Sequence, residues 1–342
     1  MNIVRCDDSY REAWNAFVSE TTQASFYHRF EWRDINQRCF GHDSCYLAAL
    51  TENRIVGVFP LVRVRSRLFG NIACSVPFVN YGGPASEDEN IDNLLIAEAE
   101  RVADQWGVEF LEIRSRRHLG PQFPTSLHKV SMTVDLDPDP EVLWKGFKTE
   151  HRKHIRHGYK DGFTARLGDV DLLDDFYKVL SEAWRDLGTP IYAKSYLDTV
   201  AKTFPGLARL CVVYGAGKPV AASFQAYDRG IAEGLWLGTI AKQRHQYAGY
   251  VLYWELLKDA ASHGCRQFHL GRSTAQSGGE VFKRKWNAHQ TQLYWQYVLC
   301  GRSDIPQLNV NNPRYRLAIW AWRQLPVSVT TKVGPILARG IP

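Results

Sequence analysis

One arrangement of segments occurs twice along the chain, and it limits the fold more than any other feature. Apolar residues 46–50 and 55–62 lie on either side of a polar turn, and residues 210–214 and 219–227 repeat this arrangement. Each pair predicts a β-hairpin, because two short apolar runs joined by a tight polar turn are typical of antiparallel strands. The sequence therefore predicts two copies of one structural unit.

A helix and a further strand follow each hairpin at a constant separation. Corresponding positions lie 157 residues apart, as Leu95 and Leu252 illustrate. Apolar residues recur at helical spacing in both helices, and each helix ends at a glycine, Gly107 or Gly264, which suits a left-handed C-terminal cap. Antiparallel strands that lead into a helix and another strand predict an α/β fold with two similar domains.

Length and composition agree with two domains. The chain has 342 residues, 45% of them hydrophobic, which is enough to bury a core in each copy. Prolines and acids at residues 135–140 predict the junction. We expect one domain over residues 1–135, a second over 136–300, and a helical tail over 301–342 that packs back on the body. The alternative for the tail is an amphipathic helix on a membrane surface.

Composition also narrows the cellular setting. No segment has the roughly 18 apolar residues that a membrane-spanning helix needs, and the first residues turn acidic before a signal peptide could form. The seven cysteines form no Cys-x-x-Cys pair, which favours buried thiols over disulfide or zinc frameworks. A net charge of +6 favours phosphate-bearing partners without requiring nucleic acid. We expect a cytoplasmic protein, with the inner face of the membrane as an alternative location.

The connection before the second repeated helix has the form of an anion-binding loop. Backbone N–H groups at a helix start carry partial positive charge, and Gln246 and Gly249 come just before the helix predicted from Tyr250. These residues resemble the loop by which GNAT-type acyltransferases hold the pyrophosphate of coenzyme A, although Val251 replaces its last glycine or alanine. The alternative is an ordinary strand-to-helix connection.

The densest group of polar residues follows the last strand of the second copy. Residues 268–287 contain a buried strand, a polar loop, and three consecutive cations beside Trp286. This region, with Phe282 and Lys283, resembles the FemAB-related, PEP-CTERM system-associated family. The likeness covers nearly the whole chain, and its other segments are residues 75–83, 111–115, 187–190, 253–255 and 312–317.

The resemblance implies two fused GNAT-like domains and a transferase activity. Fem transferases move an aminoacyl group from aminoacyl-tRNA to an amine on a peptidoglycan precursor, and this subfamily is associated with exopolysaccharide and protein-sorting loci. By this likeness, Lys283 is the electropositive catalytic group beside the donor, while Arg272 and Ser273 either bind phosphate or brace the turn. We expect the donor to contact Gln246, Gly249, Tyr250, Tyr253 and Trp286.

Two departures from the family pattern affect this interpretation. Asn287 follows the tryptophan where glycine is usual, but asparagine tolerates a positive φ, so the turn can still form. Residues 274–276 are less basic than the segment they replace, which argues against tight RNA binding. Without the resemblance, Lys283 would be interpreted as part of a solvent-exposed run of cations.

In the first copy, a glycine-containing loop occupies the position equivalent to the donor loop. Two glycines beside an aromatic ring let the backbone approach a sugar or peptide closely, as in an acceptor cleft. We expect the acceptor to contact Asn80, Tyr81, Gly82, Gly83 and Arg114. The alternative is a plain structural turn.

Two further motifs favour structural interpretations. His151, His154 and His157 recur every three residues, but the cations between them would repel a metal ion, so we expect a basic helix face and no metal. Residues 271–275 resemble a serine-hydrolase nucleophile elbow, but a polar loop follows where a helix should begin.

Together, these observations predict an acyl- or aminoacyltransferase acting on an amine of a cell-envelope peptidoglycan or exopolysaccharide precursor. Its donor would be aminoacyl-tRNA, acyl-CoA or acyl carrier protein, with no tightly bound cofactor. The first alternative is a GNAT N-acyltransferase that depends on acyl-CoA or acyl carrier protein, and the second is a catalytically silent binding module. No motif offers an obvious general base, so we expect desolvation with a substrate carboxylate or water relay to neutralise the acceptor amine.

Overall fold

The computed structural model describes residues 1–305 and 313–341, and the chain divides into two compact units. The first contains residues 1–130, 291–305 and 339–341, and the second contains residues 131–290 and 313–338. Residues 291–305 thus group with the first unit, and the proposed domain boundaries at residues 135 and 300 stay predictions. The start of the family-like segment 312–317 lies outside the described residues.

Strands and helices are numbered in chain order. The described strands are β1 (Asn2–Cys6), β2 (Asp43–Thr51), β3 (Arg54–Ser66), β4 (Gly70–Cys74), β5 (Ala85–Ser86), β6 (Phe110–Ser115), β7 (Thr125–Asp135), β8 (Thr164–Gly168), β9 (Ala208–Gly215), β10 (Lys218–Asp228), β11 (Ile231–Thr239), β12 (Gln267–Thr274) and β13 (His289–Leu299). The described helices are α1 (Arg11–Glu20), α2 (Glu31–Phe40), α3 (Glu89–Trp106), α4 (Pro140–Gly146), α5 (Thr149–Lys160), α6 (Leu173–Leu187), α7 (Lys194–Thr203), α8 (Ala248–Ser262), α9 (Gly278–Arg284), α10 (Pro313–Gln324) and α11 (Val327–Ala338).

The first unit is built on a mixed sheet with the order β1-β2-β3-β4-β6-β13 and with β5 beside β3. β4 and β6 run parallel, and β2 and β3 form the predicted hairpin. The apolar stripe of α3, which includes Leu95 and Ala99, packs on Leu47 and Phe59 of this hairpin. As the sequence predicts, α3 ends at Gly107, whose φ of 58° is left-handed.

The second unit has the strand order β7-β12-β11-β10-β9-β8, where β7 contributes its residues from Ser131 onward. β9 and β10 form the second predicted hairpin, and β11 and β12 are parallel, as β4 and β6 are in the first unit. The helix α8 begins at Ala248, two residues before the predicted start, so Gly249 lies within its first turn. The repeated unit inferred from the sequence is therefore present in both halves.

The helical tail packs on α6 of the second unit. The guanidinium of Arg185 donates to the carbonyl of Leu325 at 3.0 Å, and Arg323 donates to the carbonyl of Leu187 at 3.1 Å. A β-carbon at Gly334 would lie 3.0 Å from backbone atoms of Ile191, so the absence of a side chain favours this close approach of α11. Among the described helices, none is long and apolar enough to cross a membrane.

Candidate functional site

The short helix α9 carries the lysine that the family resemblance points to. The sequence predicts a polar loop at residues 276–279, but the structure begins α9 at Gly278. Ser277 caps this helix by accepting a hydrogen bond from the Glu280 N–H at 3.3 Å, and the Glu280 carboxylate accepts one from the Gln276 N–H at 2.8 Å. These two hydrogen bonds stabilise the start of the helix, which the adjacent Gly278 and Gly279 would not do by themselves. A helix therefore forms where a loop was expected.

The helix directs the amine of Lys283 inward, onto the end of β12. Only 7% of Lys283 is exposed, and its Nζ donates to the backbone carbonyls of Gly271 at 3.0 Å and Arg272 at 3.1 Å. Burial, together with the charge of Arg272, lowers the pKa of Lys283 to about 7. The pKa of this amine therefore lies close to neutral pH, and because the side chain is buried, the interpretation of Lys283 as part of a solvent-exposed run of cations is wrong.

A protonated lysine has three N–H donors, and the two carbonyls at the end of β12 account for two of them. The third N–H can bind an oxygen atom of a ligand. Arg272 supports the lysine through its backbone, and the side chain of Ser273 is buried. Both residues thus lie at the end of β12 beside Lys283, and their phosphate-binding and bracing roles both stay predictions.

The predicted donor loop forms a short 3₁₀ helix, Ala241–Gln246, that leads into α8. Gln246 is exposed, whereas Gly249 is half-buried. A β-carbon at Gly249 would lie 3.5 Å from Oγ1 of Thr239 and 3.8 Å from the ring of Phe282. Gly249 is thus close both to the end of β11 and to the helix that carries Lys283.

An aromatic cluster around Trp286 forms the wall behind α9. The fully buried Trp286 ring stacks on Tyr253 at a centroid distance of 5.5 Å and meets the ring of His151 edge-on at 4.2 Å. Tyr250 contacts His151 at 5.1 Å. Tyr253 and Tyr250 also contact the ring of Phe282 in α9, and the predicted contacts of Trp286, Tyr253 and Tyr250 with the donor stay predictions.

The three histidines of α5 separate into different environments. His151 is buried in the aromatic cluster, and burial lowers its pKa to about 4. The ring of His154 stacks on Tyr247 at 4.8 Å. The predicted basic face is present at Lys153 and Arg156, which are exposed, but His151 belongs to the interior. In the described part of the chain, no three His, Cys, Asp or Glu side chains are grouped to hold a metal ion.

The first unit contains a cavity of about 320 Å³ beside the end of β6. It includes four of the five predicted acceptor residues, Tyr81, Gly82, Gly83 and Arg114. Asn80 is absent from the lining, because its side chain turns inward and donates to the hydroxyl of Tyr27 at 2.7 Å. The full lining is Thr22, Gln23, His28, Tyr81, Gly82, Gly83, Pro84, Arg114, Ser115, Arg116 and Arg117.

Backbone hydrogen bonds fix the glycine loop of this cavity. The N–H groups of Gly82 and Gly83 donate to the carbonyl of Arg114 at 3.0 and 2.9 Å. Nε2 of His28 lies 2.8 Å from the carbonyl oxygen of Gly83. A β-carbon at Gly83 would lie 3.2 Å from the Arg114 carbonyl oxygen, so the absence of a side chain allows this approach.

Three arginines give the cavity its charge, and they differ in their partners. Arg114 is fully buried, and its Nε donates to Glu112 at 2.7 Å. Arg117 pairs with Asp92. Arg116 lies over the ring of Tyr81 at 5.0 Å and donates to a backbone carbonyl; among the described residues, no carboxylate pairs with it. Arg116 is therefore the guanidinium best placed to meet an anionic group of a ligand.

The sequence analysis missed Arg116, His28 and the segment at residues 22–23. Arg116 had a local signal, because it follows a predicted strand only two residues after Arg114. His28 and residues 22–23 had none, since they precede the cavity strand by more than eighty residues and join it only through tertiary contacts.

Comparisons with known proteins agree with this fold. Residues 145–284, which include α5, α8 and Lys283, match the sequence model of the acetyltransferase (GNAT) domain. FemX has a similar structure, with a TM-score of 0.65 and 12% identity over 93% of this chain and 100% of its own. No curated protein sequence matches the chain.

Two further solved structures have a similar fold. A tandem GNAT protein from the clavulanic acid biosynthesis pathway has a TM-score of 0.55 and 13% identity, over 89% of this chain and 99% of its own. The C-terminal domain of a putative lysylphosphatidylglycerol synthetase from Agrobacterium fabrum has a TM-score of 0.54 and 13% identity, over 84% and 91%. The predicted fold class, a mixed α/β fold of tandem GNAT type with a helical tail, is confirmed.

Proposed function

We propose that this protein is an acyltransferase that moves an activated acyl or aminoacyl group to an amine of a peptidoglycan or exopolysaccharide precursor. One observation carries the proposal: a buried lysine amine with a pKa of about 7 lies at the end of β12, within the segment that matches the GNAT domain. Burying an amine costs stability unless hydrogen bonds or an opposite charge compensate, and perturbed groups of this kind concentrate at functional sites.

In the proposed reaction, the neutral acceptor amine attacks the donor carbonyl carbon. A C–N bond forms, the bond from the carbonyl carbon to the donor oxygen or sulfur breaks, and the amine proton ends on that leaving atom. Negative charge develops on the carbonyl oxygen, and the third N–H of protonated Lys283 would stabilise it by about 3 to 4 kcal/mol. No covalent intermediate with the protein is needed.

The acceptor amine must first lose a proton. An alkylamine with a pKa near 10.4 is protonated at pH 7, so reaching its neutral form costs roughly 4 to 5 kcal/mol. We propose that the acceptor binds in the cavity of the first unit, where Arg116 would hold a carboxylate or phosphate of the precursor. A carboxylate of the acceptor itself, or a water molecule, would then take the proton.

Aminoacyl-tRNA is our first candidate for the donor. The similarity to FemX and to a putative lysylphosphatidylglycerol synthetase, whose name specifies an aminoacyl product, supports an aminoacyl group. Acyl-CoA or acyl carrier protein is the second candidate. The match to an acetyltransferase domain and the position of Gly249 at the start of α8 favour it.

A direct assay separates these donors. The purified protein is incubated separately with charged tRNA, acyl-CoA and acyl carrier protein, with and without an amine-bearing envelope precursor, and loss of the acyl group is measured. Deacylation of one pool that depends on Lys283 would support the proposal and identify the donor. Binding without turnover would favour the silent module, and neither binding nor turnover in any pool would contradict the proposal.

A further inference from the structure

The end of the chain has an unusual charge composition. Residues 305–342 contain no aspartate or glutamate, and they contain five cations. These cations are Arg314, Arg316, Arg323, Lys332 and Arg339. No other stretch of this length in the chain lacks both aspartate and glutamate.

The inner faces of the two tail helices are occupied by packing within the second unit. Trp322 of α10 is buried, and Ile319 lies close to Gly188 at the end of α6. On α11, Thr330 and Gly334 are buried, one turn apart. One face of each tail helix therefore packs against the second unit, and the opposite face points to solvent.

The outer faces of α10 and α11 expose apolar side chains to solvent. Leu317 and Trp320 of α10 are 75% and 61% exposed, and their spacing of three residues places them on one face. Val329, Val333 and Ile336 form a similar exposed stripe on α11. Trp320 is the exposed one among the eleven tryptophans, all of which belong to the described residues.

Exposed cations border these apolar residues. Arg316 and Arg323 are exposed on α10, and Lys332 is exposed on α11. Exposing a tryptophan and four aliphatic side chains to water does not stabilise these two helices, and exposed apolar groups that lie together mark interaction surfaces. Tryptophan and leucine beside lysine and arginine, without acids, are the composition of helices that lie in the membrane interface.

We propose that the outer faces of α10 and α11 dock on the surface of a membrane that contains anionic phospholipids. The apolar side chains would enter the boundary between headgroups and acyl chains, while the cations would meet the phosphates. A second copy of this chain is a poorer occupant, because the two cationic faces would repel each other. This inference goes beyond the proposed transferase reaction and does not depend on it.

Vesicle flotation of the full-length protein tests the proposal. Vesicles of phosphatidylcholine alone are compared with equal mixtures of phosphatidylcholine and phosphatidylglycerol, at low and high salt. We expect binding to the mixed vesicles, weak binding to phosphatidylcholine alone, and a loss of binding as salt rises.

Two double variants separate the apolar and the charged contributions. Leu317→Gln with Trp320→Gln should reduce binding to mixed vesicles by more than tenfold, since both side chains would leave the bilayer. Arg316→Gln with Lys332→Gln should reduce it by about fivefold for each cation removed. All four residues are exposed, so the fold should tolerate these changes.

Matched controls make the result decisive. Leu68→Gln with Leu94→Gln removes two exposed leucines from the first unit, and Lys218→Gln with Lys242→Gln removes two exposed lysines outside the tail. Neither control should change binding. Equal binding by the tail variants and the wild type, equal binding to both vesicle types, or self-association without flotation would overturn the proposal.

Discussion

The two units differ in the group that donates a hydrogen bond to the end of one corresponding strand. Position 114 of β6 and position 271 of β12 correspond in the repeat. In the first unit, the carbonyl of Arg114 accepts hydrogen bonds from the backbone of Gly82 and Gly83. In the second unit, the carbonyl of Gly271 accepts a hydrogen bond from the side-chain amine of Lys283. In the first unit, the donors to this carbonyl are N–H groups of a backbone loop. In the second unit, the donor is a side-chain amine that can gain or lose a proton.

A second difference lies two residues earlier on the same strands. Glu112 of β6 pairs with the buried Arg114 and accepts a hydrogen bond from Tyr297 at 2.9 Å. The corresponding His269 of β12 pairs with Glu233 at 2.8 Å. The first unit buries a carboxylate paired with a guanidinium, whereas the second buries a carboxylate paired with an imidazole. Taken with the contacts of Lys283, this comparison indicates that the first unit fixes the end of its strand with a backbone loop and a charge pair, whereas the second places a titratable amine there.

The largest effect is expected from removing the charge pair of the first unit. Glu112→Gln leaves the buried guanidinium of Arg114 without its counter-charge, and we expect a loss of about 3 to 5 kcal/mol in the free energy of unfolding, measured by urea denaturation. Glu233→Gln should cost less, because the glutamine amide oxygen can still accept a hydrogen bond from the ring of His269, whereas Arg114 always carries a charge. Asp43→Asn, which removes the exposed carboxylate that pairs with Arg65 and Arg63, should cost at most about 1 kcal/mol. Equal losses of unfolding free energy in all three variants would contradict this difference between the two units.

Removing the titratable group should stop turnover. Lys283→Met keeps the length of the side chain but removes its donors, and we expect kcat to fall by more than about a hundredfold in the donor assay. Lys285→Met, at an exposed site two residues away, should change kcat by less than about threefold. A thermal unfolding scan shows whether each variant is folded. A folded Lys283→Met protein with normal turnover would show that the second unit does not use its amine.

The pH dependence of kcat should show a break near the pKa of Lys283, about 7. Below the break, kcat should rise by about tenfold per pH unit as the acceptor amine loses its proton. Above it, the protonated lysine is lost at the same rate, so kcat should level off. In Lys283→Arg the cation persists, and the rise should continue past pH 7 if this variant turns over. A break that stays at pH 7 in Lys283→Arg would assign it to another group.

The smallest effect should come from the rigid cavity of the first unit. Arg116→Gln removes a guanidinium without a described carboxylate partner, and we expect the KM for an anionic acceptor to rise about fivefold while kcat changes little. Arg65→Gln, which removes an exposed guanidinium from β3, serves as the control and should leave KM unchanged. If KM is unaffected in both variants, the acceptor does not bind through Arg116.

Sequence reasoning recovered the fold better than the site. The hairpins, α3 and β12 lie where the repeat places them, because apolar spacing and a glycine cap act over a few residues. The helix α9 was missed, although Ser277 and Glu280 have the spacing of a capping box, which is readable in the sequence. The two adjacent glycines suggested a loop, and the cap outweighed them.

The sequence by itself determined the doubled α/β unit and the position of Lys283 just after the last strand of its second copy. Only the tertiary structure decided that this amine is buried on two backbone carbonyls, that Trp286 lies behind it, and that Arg116 faces a cavity with residues from far earlier in the chain. The physical reason is the separation along the chain over which each interaction acts. Hydrogen bonds along a helix or across a hairpin depend on near neighbours, whereas burial and charge depend on whatever the whole fold brings close.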